Sequence, residues 1–165
     1  VPNLSSIVAL AELAGKRMLL TGDARGDKIL EGLELTGLVP QGGSLHVDIL
    51  KVPHHGSANN MEPSFFERVT ADHYVFSGNG EHGNPERETL EMLFSVCGNR
   101  PFTLHFTYPI EEIDAERSKR RNWVPERDSL AALFAKRDMP AAGQQVVCAQ
   151  PNQPHVIDLL TPLGF

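Results

Sequence analysis

Val47-Asp48-Ile49-Leu50-Lys51-Val52-Pro53-His54-His55-Gly56-Ser57 decides how this chain is read. It begins as a run of mostly apolar, β-favouring residues, the signature of a buried strand. Pro53 has no N–H to give a sheet ladder, so the strand ends there. Two imidazoles follow at once, then a glycine turn. Metal-competent side chains are thereby delivered to the rim of a sheet, where ligand sites in open α/β folds gather. From the pair alone, a loop with two solvated histidines remains an equal reading.

Upstream, Arg17-Met18-Leu19-Leu20-Thr21 reads as another strand and runs into Gly22-Asp23. Ile7-Val8-Ala9-Leu10 precedes it closely enough for a hairpin. Asp23 at a strand end either caps the helix that follows or binds metal, and both readings stand. From Asp27 to Leu38, Ile29, Leu30, Leu33 and Leu35 recur at helical spacing before Gly37. Asp23 and His55 are thirty-two residues apart with this one helix between them. A strand–helix–strand crossover of that length makes parallel neighbours whose ends share one sheet edge. A carboxylate and an imidazole meeting there suit zinc, manganese or iron. A carboxylate can also bridge two metal ions.

Downstream, Ser64–Val69 reads as a short helix burying Phe65 and Phe66, and His73–Ser77 as a strand. A glycine-rich turn follows, and its His82 is expected at the same rim as His55. Glu86–Val96 has the pattern of an amphipathic helix opened by Pro85. Phe102, Leu104 and Phe106 alternate with Thr103, His105 and Thr107, so His105 is expected to be solvated. Ile110–Arg121 is polar, and its end, Lys119-Arg120-Arg121-Asn122-Trp123, reads as part of a solvated surface helix. Ser129–Lys136 is a further helix. Val146–Ala149 and His155–Leu160 are predicted to form a terminal hairpin across Pro151–Pro154. The sum is one α/β domain, a mixed sheet flanked by helices.

Composition narrows the function. The chain has 165 residues, 41% hydrophobic and 22% charged, with a formal net charge of −6. An acidic chain is poorly suited to non-specific nucleic-acid binding, which needs excess Lys and Arg. No apolar run reaches the roughly 20 residues of a membrane helix. Val1-Pro2-Asn3-Leu4 lacks the basic start of a signal peptide and is expected to be the middle of a longer protein or a processed start. Cys97 and Cys148 are expected as reduced, partly buried thiols of a cytoplasmic protein; a single disulfide between them stays open.

Leu19-Leu20-Thr21-Gly22-Asp23 together with Val47–Ser57 resembles the metallo-β-lactamase-fold hydrolase superfamily, in the branch that includes hydrolase domains of bacterial DNA-uptake proteins. Phe76-Ser77-Gly78-Asn79-Gly80 with Asn84-Pro85 fits the same branch. The resemblance covers about half the chain, from Asn3 to about Leu93. It implies a four-layer αββα sandwich and a site of two metal ions, zinc or else manganese or iron, that activates water for ester hydrolysis. Asp23 matches the bridging aspartate and His55 the last metal-binding histidine. His54 faces substrate, or exchanges roles with His55. The family's main ligand motif, H-x-H-x-D-H, is absent, and none of His46, His73, His105 or His155 has a partner at that spacing.

Residues 1–165 are therefore expected to form the C-terminal half of such a domain, partnered by an N-terminal half. Alone, the chain should bind zinc weakly and hydrolyse little. It should also self-associate, as a homodimer, through an uncovered sheet face. A non-catalytic interaction module is the alternative. A nucleic-acid site at Lys119–Trp123 ranks third, and a serine hydrolase lower still because Ser57 lacks a G-x-S-x-G setting.

Overall fold

The computed structural model describes residues 6–139, 143–150 and 152–160. Six strands form one sheet in the order β1-β2-β3-β4-β5-β6. They are β1 (Ala9–Leu13), β2 (Lys16–Leu20), β3 (Leu45–Lys51), β4 (Val69–Phe76), β5 (Phe102–Phe106) and β6 (Gln144–Cys148). β1 and β2 form the antiparallel hairpin, and every later neighbour is parallel. The expected mixed α/β sheet is therefore present, with the crossover joining β2 to β3 as the spacing required.

Helices fill the crossovers: α1 (Gly26–Leu35), α2 (Pro63–Arg68), α3 (Arg87–Cys97), and then α4 (Ile110–Ser118), α5 (Pro125–Asp128) and α6 (Leu130–Ala135). Parallel crossovers are almost always right-handed, so a strand order that never reverses stacks successive helices on one face. The core agrees with this. Ile29, Leu33, Phe65, Phe66, Leu90, Leu93, Ile113 and Leu130 join Leu19, Leu50, Tyr74 and Leu104 in a single buried cluster. In α3, Leu90, Leu93, Phe94 and Cys97 are the inward stripe. Cys97 and Cys148 are free thiols, Cys97 buried.

The simple two-residue alternation slips once, at the same height in two strands. Core members run Val47 then Leu50 in β3, and Ala71 then Tyr74 in β4. The slip is marked by Ala71 N donating to the Tyr74 hydroxyl at 3.0 Å. It turns Ile49 and its register partner His73 toward the opposite face. β4 consequently starts at Val69, earlier than its apolar run suggests.

That opposite face corrects two sequence readings. His155–Leu160 forms no strand, and β6 pairs in parallel with β5 instead of closing a hairpin. The segment lies across the back of the sheet, where Val156 and Leu160 close a trough of about 450 Å³ over Ala11, Leu13, Met18 and Ile49. His105, expected in water, is 5% exposed. Its Nδ1 meets His155 Nε2 at 2.8 Å and its Nε2 meets His73 Nδ1 at 3.0 Å. Burial, reinforced by both neighbours, pushes the His105 pKa down to about 4. Lys119–Trp123 also departs from expectation, since α4 stops at Ser118 and the basic run is a turn. None of the described helices is long and apolar enough to cross a membrane.

Candidate metal site

The loops after β2 and β3 are stitched together before any functional group is placed. Thr21, fully buried at the end of β2, donates its hydroxyl to Lys51 O at 2.6 Å. Gly22 turns the chain with φ +52°, and a Cβ there would lie 3.2 Å from Ile7 O. Its carbonyl accepts from His54 N at 3.0 Å and from Lys51 Nζ at 3.2 Å. Asp23 N donates to Ser6 Oγ at 3.2 Å, and Asn60 Nδ2 donates to Asp23 O at 3.4 Å.

The histidine pair sits on unusual backbone. His54 (φ 46°, ψ 45°) and His55 (φ 56°, ψ 18°) are both left-handed, and Gly56 continues at φ +86°. For a side chain other than glycine this conformation costs about 1–2 kcal/mol per residue. It persists only where surrounding contacts over-determine it, and such strain clusters at functional sites. The contacts are present. Asn84 Nδ2 donates to His54 O, while Glu86 N and the buried Thr89 hydroxyl both donate to Gly56 O at 2.9 Å. The Glu86 carboxylate accepts from Ser57 Oγ and Ala58 N, fixing the exit of the loop.

This backbone brings His55 Nε2 to 3.5 Å from Asp23 Oδ1. The separation is long for a hydrogen bond. It matches the spacing of two donors on one tetrahedral ion, which at ligand distances near 2.1 Å is about 3.4 Å. The other nitrogen, Nδ1, lies 3.0 Å from Ser77 Oγ. With the proton on Nδ1 and donated to that hydroxyl, the Nε2 lone pair faces Asp23, the usual arrangement behind a metal-binding imidazole. Burial holds the His55 pKa below its ordinary value; Lys51, His54 and His82 add to this and Asp23 opposes it. The imidazole is thus neutral at neutral pH, the form that ligates. Burial also lowers the Lys51 pKa, against the pull of Asp23.

Two of the three expected ligands are thereby brought together, Asp23 and His55. His54 is placed elsewhere: its ring stands edge-on to His55 at 6.3 Å between centroids and lines an adjoining cleft with His82. Among the described residues, no three His, Cys, Asp or Glu side chains are grouped to hold a metal. The donor pair fits two positions of a metal site, and no third His, Cys, Asp or Glu joins it among the described residues. Sequence reasoning passed over Ser77 and Lys51. The strand-end rule that found Asp23 and His55 would have found Ser77, which directly follows β4.

No protein-family model matches the chain, and no solved structure matches it. Over 62 residues, 35% of this chain, it is 40% identical to microtubule-associated protein 1A of Rattus norvegicus. Over 53 residues, 32% of this chain, it is 40% identical to the proteins of that name from Mus musculus and Homo sapiens. The chain spans 2% of the length of each of these relatives.

Proposed function

We propose that this chain is the C-terminal half of a metallo-β-lactamase-type αββα hydrolase domain and supplies two of the ligands of a zinc, manganese or iron site. The single observation that carries the reading is the Asp23–His55 pair, 3.5 Å apart at adjacent parallel strand ends and presented by left-handed backbone. In the complete domain the metal would polarise an ester, a phosphodiester or a similar group, and activate water. Asp23 and His55 would hold it, Ser77 would orient His55, and Lys51 would moderate the local negative charge. The back face of the sheet, only partly crossed by residues 155–160, is where a second sheet from an N-terminal half would pack. A second copy of this chain is the substitute when that half is absent.

Titrating the chain with zinc by calorimetry tests this. Two protein ligands should give weak binding, lost in both Asp23→Asn and His55→Ala while the fold is kept. Binding unchanged in both variants would remove the metal reading. Tight one-to-one binding by the chain alone would remove the half-site reading.

The stretch shared with a microtubule-associated protein favours a second reading, a non-catalytic interaction module that keeps the fold. Co-sedimentation with microtubules by a chain that binds no zinc would move the assignment to it.

A further inference from the structure

The cleft beside His54 shares Asn84 and Glu86 with the loop that presents His55, but it includes neither Asp23 nor His55. It encloses about 420 Å³, within the range of small-molecule sites. Arg117, Arg120 and Arg127 line it, with Trp123, His54 and His82. Their setting is built. Arg117 is 5% exposed; its Nε donates to Gly83 O at 3.1 Å and its Nη1 to Asp128 O at 2.6 Å. Its guanidinium lies 5.1 Å from the Trp123 ring centre. Arg120 lies against Gly83, so closely that a Cβ at Gly83 would strike its guanidinium.

The carboxylates at the wall are engaged, and they engage two of the arginines: Arg117 lies 3.8 Å from Asp114, and Arg127 is forked on Asp128. Asp128 takes both Arg127 Nε and Nη2 at 2.7 Å, and Glu86 takes Ser57 and Ala58. Arg120 has no carboxylate within salt-bridge distance among the described residues. With Glu86 and Asp128 also in the lining, Arg120 is the guanidinium left without a carboxylate, and one such group beside an aromatic wall on a chain of net charge −6 calls for a defined anion in place of a non-specific polyanion. Guanidinium forks match tetrahedral oxyanions.

We infer that this cleft, closed by Arg120, Arg117 and Trp123 next to His54, is a binding site for the phosphate group of a nucleotide-sized ester. The inference rests on the hydrolase reading only for the other end of the ligand, the ester that would reach Asp23 and His55. Phosphate binding itself needs no metal.

Trp123 is the only tryptophan of the chain and reports directly on the cleft. Its fluorescence is followed while metal-free protein is titrated with inorganic phosphate, sodium chloride of matched ionic strength, or acetate. Phosphate should give a saturable change that chloride and acetate do not. Arg120→Ala should weaken it about tenfold, the size of one charge-assisted hydrogen bond. Arg121→Ala, exposed and outside the cleft, should shift it less than about twofold by the same scale. No saturable response to phosphate, an equal response to acetate, or equal losses in the two variants would overturn the site. Asp23→Asn separates the two readings: lost zinc with retained phosphate response supports both, and a phosphate response in a wild type that never binds zinc leaves the cleft standing and the hydrolase reading overturned.

Discussion

His55, in the loop after β3, and His105, within β5, occupy environments that differ in one decisive respect. Burial holds both pKa values below the ordinary imidazole range. His55 has a hydroxyl on one nitrogen and a carboxylate 3.5 Å from the other, at a strand end. His105 has an imidazole on each nitrogen, in the middle of a strand pairing. A neutral imidazole has one N–H and one lone pair. In His105 both are used inside the fold, so it can only brace the C-terminal segment against the sheet. In His55 the nitrogen away from the hydroxyl faces a group that shares its affinity for a cation. Neighbours, more than burial, separate a histidine whose second nitrogen faces a carboxylate from one enclosed by other imidazoles.

The strongest way to break this comparison is to disturb the loop that presents His55. A Cβ on Gly56 would lie 2.8 Å from Phe76 Cδ1 and 2.9 Å from Pro85 Cβ, at a φ of +86°. Phe76 is fully buried and stacked on Phe106, so it has nowhere to move. Gly56→Ala combines backbone strain with overpacking and should cost roughly 3 kcal/mol or more. Urea unfolding at unchanged slope measures it. A loss below about 1 kcal/mol would mean that the loop yields and that the strain at His54 and His55 is not enforced by its surroundings.

The back face should fail differently, through acid. The folded pKa of His105 lies at about 4 against an ordinary 6.5. Between these values the unfolded chain takes up a proton that the folded chain refuses. Stability is therefore unaffected by this group above pH 6.5, declines as pH falls toward 4, and is lower by roughly 3 kcal/mol below it. Carboxylates add their own acid dependence, so the informative quantity is the difference from His105→Leu. That variant should lose stability at pH 7 by leaving His73 and His155 without their shared partner, and should show a flatter decline between pH 6.5 and 4. Parallel curves for the two proteins would show that His105 is not held neutral.

These two regions also mark what a single chain of letters reveals. Asp23 and His55 were legible because strand ends and crossover length are local properties, written in Leu19–Asp23, Ile29–Leu33 and Val47–Gly56. The left-handed backbone at His54 and His55 was not, since neither residue type calls for it and the contacts that impose it come from Asn84, Glu86 and Thr89. His105 was misread because alternation assigns polar residues to water, whereas its cover arrives from His155, fifty residues later. The hairpin was misread for a related reason: His155–Leu160 has the apolar content of a strand but rests on a sheet face instead of a sheet edge. The arginine cleft was hidden inside a polar helix because Arg117 is buried by carbonyls of Gly83 and Asp128, which only the fold brings near.

The subtlest test asks whether the hydroxyl behind His55 does more than fill space. Ser77→Ala removes one oxygen from a half-exposed position and leaves His55 Nδ1 to find water. Its effect on folding should stay within about 1 kcal/mol. Its effect on the proposed zinc binding should be larger in proportion, about a tenfold loss, because the ring is no longer held with Nε2 toward Asp23. Calorimetry with zinc, run beside His105→Leu, makes the contrast direct. Ser77→Ala should move the metal affinity and leave the acid limb alone, and His105→Leu should do the reverse. A shift of both properties in either variant would show that the two faces of the sheet are coupled, and that the division between a chemical histidine and a structural one is not drawn by their immediate neighbours.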